Sequence, residues 1–155
     1  MIKYIFSLTI IFSASLCAAQ IQGHVIRVLD GDTLEILQDK KPVRVRLANI
    51  DAPEKKQPFG RWSATQLKDL VAGKPVTVQY AQTDRYGRIL GRVYTADGTE
   101  ANRWQVRNGA AWVSPDYNND YTLPPLQRDA RALKRGLWAD KNPVPPWTWR
   151  KQNKK

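Results

Sequence analysis

The run Val43-Arg44-Val45-Arg46-Leu47 alternates apolar and basic residues without a break. Such alternation suits a strand with one buried face and one wet face, and a helix cannot use it. Two more strand-type runs precede it. Gln22 to Leu29 is β-branched at Val25, Ile26 and Val28, and Thr33 to Leu37 resumes the pattern after the turn signal Asp30-Gly31-Asp32. Lys40-Lys41-Pro42 reads as the turn into the third strand.

The remainder mixes helix and strand periods. Pro53 and Pro58 bracket a loop, and Phe59 to Val71 has a helical period closed by Gly73. Pro75 to Tyr80 and Ile89 to Tyr94 read as strands, with turns at Asp84 to Gly87 and at Asp97-Gly98. Glu100 to Asn108 reads as a helix stopped by Gly109. Thr122 to Leu137 reads as a stronger one, with Leu126, Ala130, Leu133 and Leu137 on one face and Pro124 and Pro125 confined to its first turn. Five short strands with a helix between the third and fourth predict a mainly β fold: an OB-fold, the five-stranded partly open barrel, plus three helices. The proline-rich stretch from Asn142, ending Arg150-Lys151-Gln152-Asn153-Lys154-Lys155, is expected to be an extended arm with a disordered basic end.

Composition narrows the partners. Lys3, the apolar run Tyr4 to Leu16 and the small residues Ala18-Ala19 read as a secretory signal over 1–19, with the mature chain starting at Gln20. The domain proper then covers 20–141 and the tail 142–155. A secreted or periplasmic protein is expected, a monomer with no stable membrane insertion, since the apolar run is short for a span. The single cysteine, Cys17, lies inside that signal, so neither a disulfide nor a thiol nucleophile is expected after processing. A net charge of +11 and a pI near 10.0 set up a field for polyanions: nucleic acid, anionic lipid or acidic polysaccharide. The lone His24 falls in the first strand without a partner and is a poor candidate for metal binding or catalysis.

Three segments carry chemistry. Asp32 follows a turn and Asp51 ends a neighbouring strand, so two carboxylates and a backbone carbonyl can converge on a hard cation, with Asp30 as a further carboxylate at the rim. Glu54 follows Pro53 and could orient or deprotonate a water beside that cation. Arg46 and Arg88 could each hold two phosphoryl oxygens and stabilise charge that builds up on them. Taken singly, each has a plain structural explanation: Asp30-Gly31 builds a turn, Glu54 faces solvent, and the arginines belong to a basic surface.

In order, Asp30-Gly31-Asp32-Thr33, Arg46-Leu47 with Ile50-Asp51-Ala52-Pro53-Glu54, and Asp84-Arg85-Tyr86-Gly87-Arg88 resemble the staphylococcal nuclease family. Asn108-Gly109-Ala110-Ala111 and Gly136-Leu137-Trp138 look like later landmarks of that family, so the similarity runs from about Ile21 to Trp138. The resemblance implies an OB-fold nuclease that depends on Ca2+ and acts on DNA and RNA. It assigns metal ligation to Asp32, Asp51 and the backbone carbonyl of Ala52, general-base work to Glu54, and phosphate clamping to Arg46 and Arg88. It further implies in-line attack by water and 3′-phosphate products.

Two departures stand out. The loop Lys55-Lys56-Gln57-Pro58-Phe59-Gly60 is shorter than in the best-known member. That member also has two tyrosines, two positions apart, where this chain has Pro115 and Tyr117. Arg85, Tyr86 and Tyr117 are the expected substrate contacts, with Trp112 as another aromatic face or a core residue. Trp62, Trp104 and Trp138 are expected in the core, and Trp147 and Trp149 either fold back onto the barrel or lie exposed. The competing reading is a noncatalytic OB-fold module that binds nucleic acid or another polyanion.

Overall fold

The computed structural model describes residues 18–154; the signal segment expected over 1–19 falls outside them except for Ala18 and Ala19. The chain runs β1 (Ala19–Asp30), β2 (Thr33–Gln38), β3 (Lys41–Leu47), β4 (Ile50–Asp51), α1 (Gly60–Val71), β5 (Pro75–Thr83), β6 (Ile89–Thr95), α2 (Ala101–Arg107), β7 (Trp112–Val113), α3 (Leu123–Ala132), a 3-10 turn at Gly136–Ala139, and α4 (Pro146–Gln152). Five strands close a barrel in the order β1-β2-β3-β6-β5, and β4 pairs with β7 as a separate two-stranded ribbon. The expected OB-fold barrel is therefore present.

Strand alternation builds its core. Leu34 and Ile36 of β2, Val45 and Leu47 of β3, Val76 and Val78 of β5, and Ile89 and Val93 of β6 all point inward and are buried. Leu67 and Val71 of α1, Val106 of α2 and Leu123 of α3 join the same core. The β3–β6 pairing is parallel, with Val45 opposite Ile89 and Arg46 opposite Leu90, while the other barrel pairs are antiparallel. That pairing closes the barrel and sends the alternate residues of β3, Arg44 and Arg46, to its outer side.

Several boundaries differ from the sequence reading. The β2–β3 turn is Asp39-Lys40, both left-handed at φ 46° and 65°, so Lys41 and Pro42 belong to β3. The long helix expected over 122–137 stops at Ala132. Lys134 turns left-handed at φ 51°, the chain restarts as the 3-10 turn, and Leu133 is left exposed while Leu137 is buried. The tail holds a fourth helix in place of the expected extended arm. Pro145 precedes α4 and Pro146 opens it, where a missing N–H costs nothing. Its Trp147 joins Trp112, Trp138, Leu137 and Ala130 in a second apolar cluster, so Trp147 folds back onto the body of the protein. Trp138 is buried as expected, whereas Trp62 and Trp104 are only partly so.

One buried side chain ties α2 to the barrel and to the turn that follows β3. Asn102 of α2 accepts from the Val93 N–H at 3.1 Å and donates to the carbonyls of Ala48 at 2.9 Å and Gly91 at 3.1 Å. Asn102→Ala orphans two backbone groups in the interior, the Val93 N–H and the Ala48 carbonyl, each expensive to leave unmade, while the Gly91 carbonyl keeps the Ala48 N–H. It should cost at least about 2 kcal/mol, read in urea unfolding as a lower midpoint with an unchanged slope.

Candidate active site

A tight turn begins the site. Asp30 Oδ1 accepts from the Asp32 N–H at 3.0 Å, and Gly31 lies under α1 where a Cβ would stand 1.8 Å from Ser63 Oγ. Asp32 is thereby held inward at 5 % exposure. Its Oδ2 accepts from the Ala52 N–H at 2.7 Å and its Oδ1 from the Thr33 hydroxyl at 2.9 Å. The first of these bonds joins the β1–β2 turn to the end of β4, twenty residues on.

Arg46 crosses the same space. Its Nη1 donates to the carbonyls of Leu47 at 2.7 Å and Ile50 at 2.9 Å, which fixes the plane of the guanidinium. Its Nη2 then lies 3.2 Å from Asp32 Oδ2 and 3.5 Å from Asp51 Oδ1. One nitrogen thus faces both carboxylates. Burial pushes Asp32 upward, but Arg46, with the hydrogen bonds around it, holds its carboxyl below the ordinary range. Burial raises Asp51, and the neighbouring Asp32 charge adds to it, although Arg150 and Arg46 pull the other way. Asp30 is pushed up to about 7, first by burial and then by the charge of Asp32, so near neutrality it can carry a proton beside Asp32.

The loop after β4 brings in Glu54. Its backbone N–H donates to Gln57 Oε1 at 3.1 Å, and Gln57 Nε2 donates in turn to the Val144 carbonyl of the tail. Arg150 of α4 closes the group. Its Nη2 lies 2.6 Å from Asp51 Oδ2, while its Nη1 reaches Asp51 Oδ1 at 3.2 Å and Glu54 Oε1 at 2.8 Å. Sequence reasoning missed Arg150 and Gln57. The available signal was Trp147 and Arg150 spaced one turn apart just after Pro145-Pro146, the residue pair that starts α4.

Asp32, Asp51, Arg46 and Glu54 are therefore brought together. Arg88 is not in contact with them. It lies two residues ahead of Leu90, the partner of Arg46, so strand alternation keeps it on the same outer side. There its Nε donates to Asp84 Oδ2 at 2.6 Å, and Asp84 also accepts the N–H groups of Tyr86 and Arg88. Burial would raise Asp84, but these bonds hold it below the ordinary carboxylate range. Tyr86 is 69 % exposed and carries the guanidiniums of Arg85 and Arg88 at 4.9 and 5.4 Å from its ring centre. Tyr117 is 85 % exposed in the loop after β7, whereas Trp112 is buried against Trp138 and Trp147.

Among the described residues no three His, Cys, Asp or Glu side chains form a ready metal cluster. Asp32 and Asp51 nonetheless present hard oxygen donors to one space beside the Ala52 backbone. That donor set suits calcium or magnesium completed by water, and it does not suit a soft metal.

Removing Arg46 would leave the two buried carboxylates short of a counter-charge. Arg46→Met should cost about 3 kcal/mol at neutral pH. The stabilisation from a depressed Asp32 is complete above its unfolded value and is lost as pH falls through its folded value. In the variant, burial acts on Asp32 without Arg46 to oppose it, so acid relieves the penalty. The gap between variant and parent, measured by urea unfolding, should be widest near pH 7 and narrower at about pH 4. A gap that grows on acidification would contradict the placement of Arg46.

Comparison with known proteins places the chain in a family. The family described as staphylococcal nuclease homologue matches residues 44–140. An uncharacterized endonuclease of Escherichia coli is 60 % identical over 148 residues, covering 96 % of this chain and 97 % of that protein. Protein ParB of Escherichia coli is 37 % identical over 163 residues, covering 99 % and 92 %. The micrococcal nuclease of Shigella flexneri is 39 % identical over 146 residues, covering 88 % and 84 %. With a barrel of the expected order, a family match over most of its length and relatives alike almost end to end, the chain belongs to the staphylococcal nuclease family.

Proposed function

We propose that this protein is an exported, calcium-dependent nuclease that hydrolyses DNA and RNA without regard to the sugar, leaving 3′-phosphate ends. The observation that carries the reading is Arg46 Nη2 facing Asp32 and Asp51 at once, with Glu54 three residues beyond Asp51. Nuclease relatives of similar length support the reaction class. The basic charge supports a polyanionic substrate. The N-terminal run of Tyr4 to Leu16 supports export.

Each residue then has a part. Asp32 and Asp51, with the carbonyl of Ala52, would hold the cation, which when bound supplies positive charge beside a phosphoryl oxygen. Glu54 orients a water and accepts its proton as the water attacks phosphorus in line with the departing 5′ oxygen. Arg46, braced by two carbonyls, presents fixed N–H groups to the equatorial oxygens, and a fixed donor needs little reorganisation as charge builds. Arg88, on the outer side of the adjacent strand, would close on the same phosphate once it leaves Asp84. Arg85, Tyr86 and Tyr117 are exposed enough to meet the bases and backbone on either side.

Plasmid DNA and single-stranded RNA incubated with calcium, magnesium or chelator test the proposal directly. Cleavage of both in calcium and its reversible loss in chelator are expected. Glu54→Gln should lower kcat by about 10²–10⁴ while the far-UV spectrum and melting temperature stay near those of the parent. Cutting that persists in chelator would refute the metal dependence. Tight binding without any cleavage in calcium would favour the noncatalytic polyanion-binding module.

A further inference from the structure

The C-terminal helix has a contact that the reaction above does not use. Arg150 donates to both oxygens of Asp51 and to one of Glu54, and these are the lone pairs that a cation and an attacking water would need. We propose that α4 is a built-in strap whose Arg150 competes with the divalent cation for Asp51 and Glu54, so that binding of the cation and docking of the strap are opposed. The inference rests on the metal reading of Asp51 given above.

The geometry of α4 makes the competition specific. Trp147 and Arg150 are three residues apart, hence on one face of the helix. Trp147 packs edge-on against Trp112 with ring centres 5.5 Å apart, and Trp112 is the residue paired with Asp51 in the β4–β7 ribbon. The aromatic anchor therefore grips the far strand of the ribbon while Arg150 reaches the carboxylate on the near one. A second tie, Gln57 to the Val144 carbonyl, links the tail to the loop that carries Glu54. Guanidinium pairing to a carboxylate is charge-assisted and bidentate, which gives it both strength and a defined direction.

The strap is also built to leave. The Arg150 side chain is 45 % exposed, so its bonds are open to water and salt. A groove of about 610 Å³ lies between the tail and the body, lined by Pro145, Thr148 and Gln152 on one side and Trp112, Arg131 and Trp138 on the other. The contact is thus held by Trp147 and the buried Pro146, one glutamine and one arginine.

Competition for a shared site is a coupling and must be reciprocal. The test uses the full processed chain stripped with chelator, calcium as the only added ligand, and no nucleic acid. Titration calorimetry should show calcium binding to Arg150→Ala on the order of tenfold tighter than to the parent. Trp147→Ala, which loosens the anchor and leaves the carboxylates untouched, should shift affinity in the same direction by less. Hydrogen exchange of amides in 146–152 should quicken when calcium is added to the parent. Equal calcium affinity in all three proteins, weaker binding by Arg150→Ala, or slower exchange in calcium would each overturn the strap while leaving the metal site standing. No calcium binding by any of them would overturn the metal reading, and the strap with it.

Discussion

Arg46 is the constraint on which the site depends. Two carboxylates placed side by side in a protein interior repel one another and forfeit hydration, and neither cost is recovered without a counter-charge. Arg46 supplies it from a position the fold cannot easily shift. Its backbone is in the barrel opposite Thr33 on one side and Leu90 on the other, and its head is pinned by the carbonyls of Leu47 and Ile50. A lysine could match the charge but has no planar fork with which to hold two carbonyls and face two carboxylates. The guanidinium thus does structural work at rest, holding the strand end and both carboxylates.

The barrel explains why residues so distant in sequence meet. Asp32 sits in the turn just before β2 and Arg46 near the end of β3, and antiparallel pairing of those strands sets Thr33 beside Arg46. Leu47 donates its N–H to the Asp32 carbonyl at 2.8 Å, so the strand end and the turn are stitched together by backbone alone. Beyond Leu47 the chain turns at Asn49, left-handed at φ 71°, and its side-chain oxygen accepts the Asn119 N–H. That turn delivers Ile50 and Asp51 to a new partner strand, Trp112–Val113, away from the barrel wall. Asp51 owes its position to this change of partner: it leaves the ladder that holds Arg46 and comes back within reach of its head group.

Much of this was legible in the residues. Val43 to Leu47 announced its own strand, and the five strand patterns with a helix after the third were enough for the barrel. The convergence of Asp32, Asp51, Arg46 and Glu54 followed from the order of three short segments. Other features were hidden for physical reasons. Leu133 keeps the helical period of Leu126 and Ala130, yet a left-handed Lys134 ends the helix, and such a conformation at a lysine leaves no mark in the sequence. The ribbon strands β4 and β7 are two residues each, too short to show any period. The tail misled because prolines and lysines usually mean an extended, solvated segment. What reverses that here is tertiary: Trp147 finds a buried aromatic cluster, and Arg150 finds carboxylates contributed by residues almost a hundred positions earlier.

That distance bears on how the charges balance. Asp32 and Asp51 share a single internal arginine, with Glu54 joined to Asp51 through Arg150, an excess of negative charge that suits the binding of a cation and burdens the protein in its absence. Arg150 offsets the same excess from the surface. A helix that neutralises the carboxylates and an ion that does so answer one electrostatic demand, and Asp51 has too few lone pairs to serve both fully. The family match ends at residue 140, before α4 begins, so the matched frame does not include the neutralising helix. The frame fixes where charge must be met. The tail supplies a removable positive group that meets it, and its grip is limited by an anchor of few side chains and by half-exposed charge.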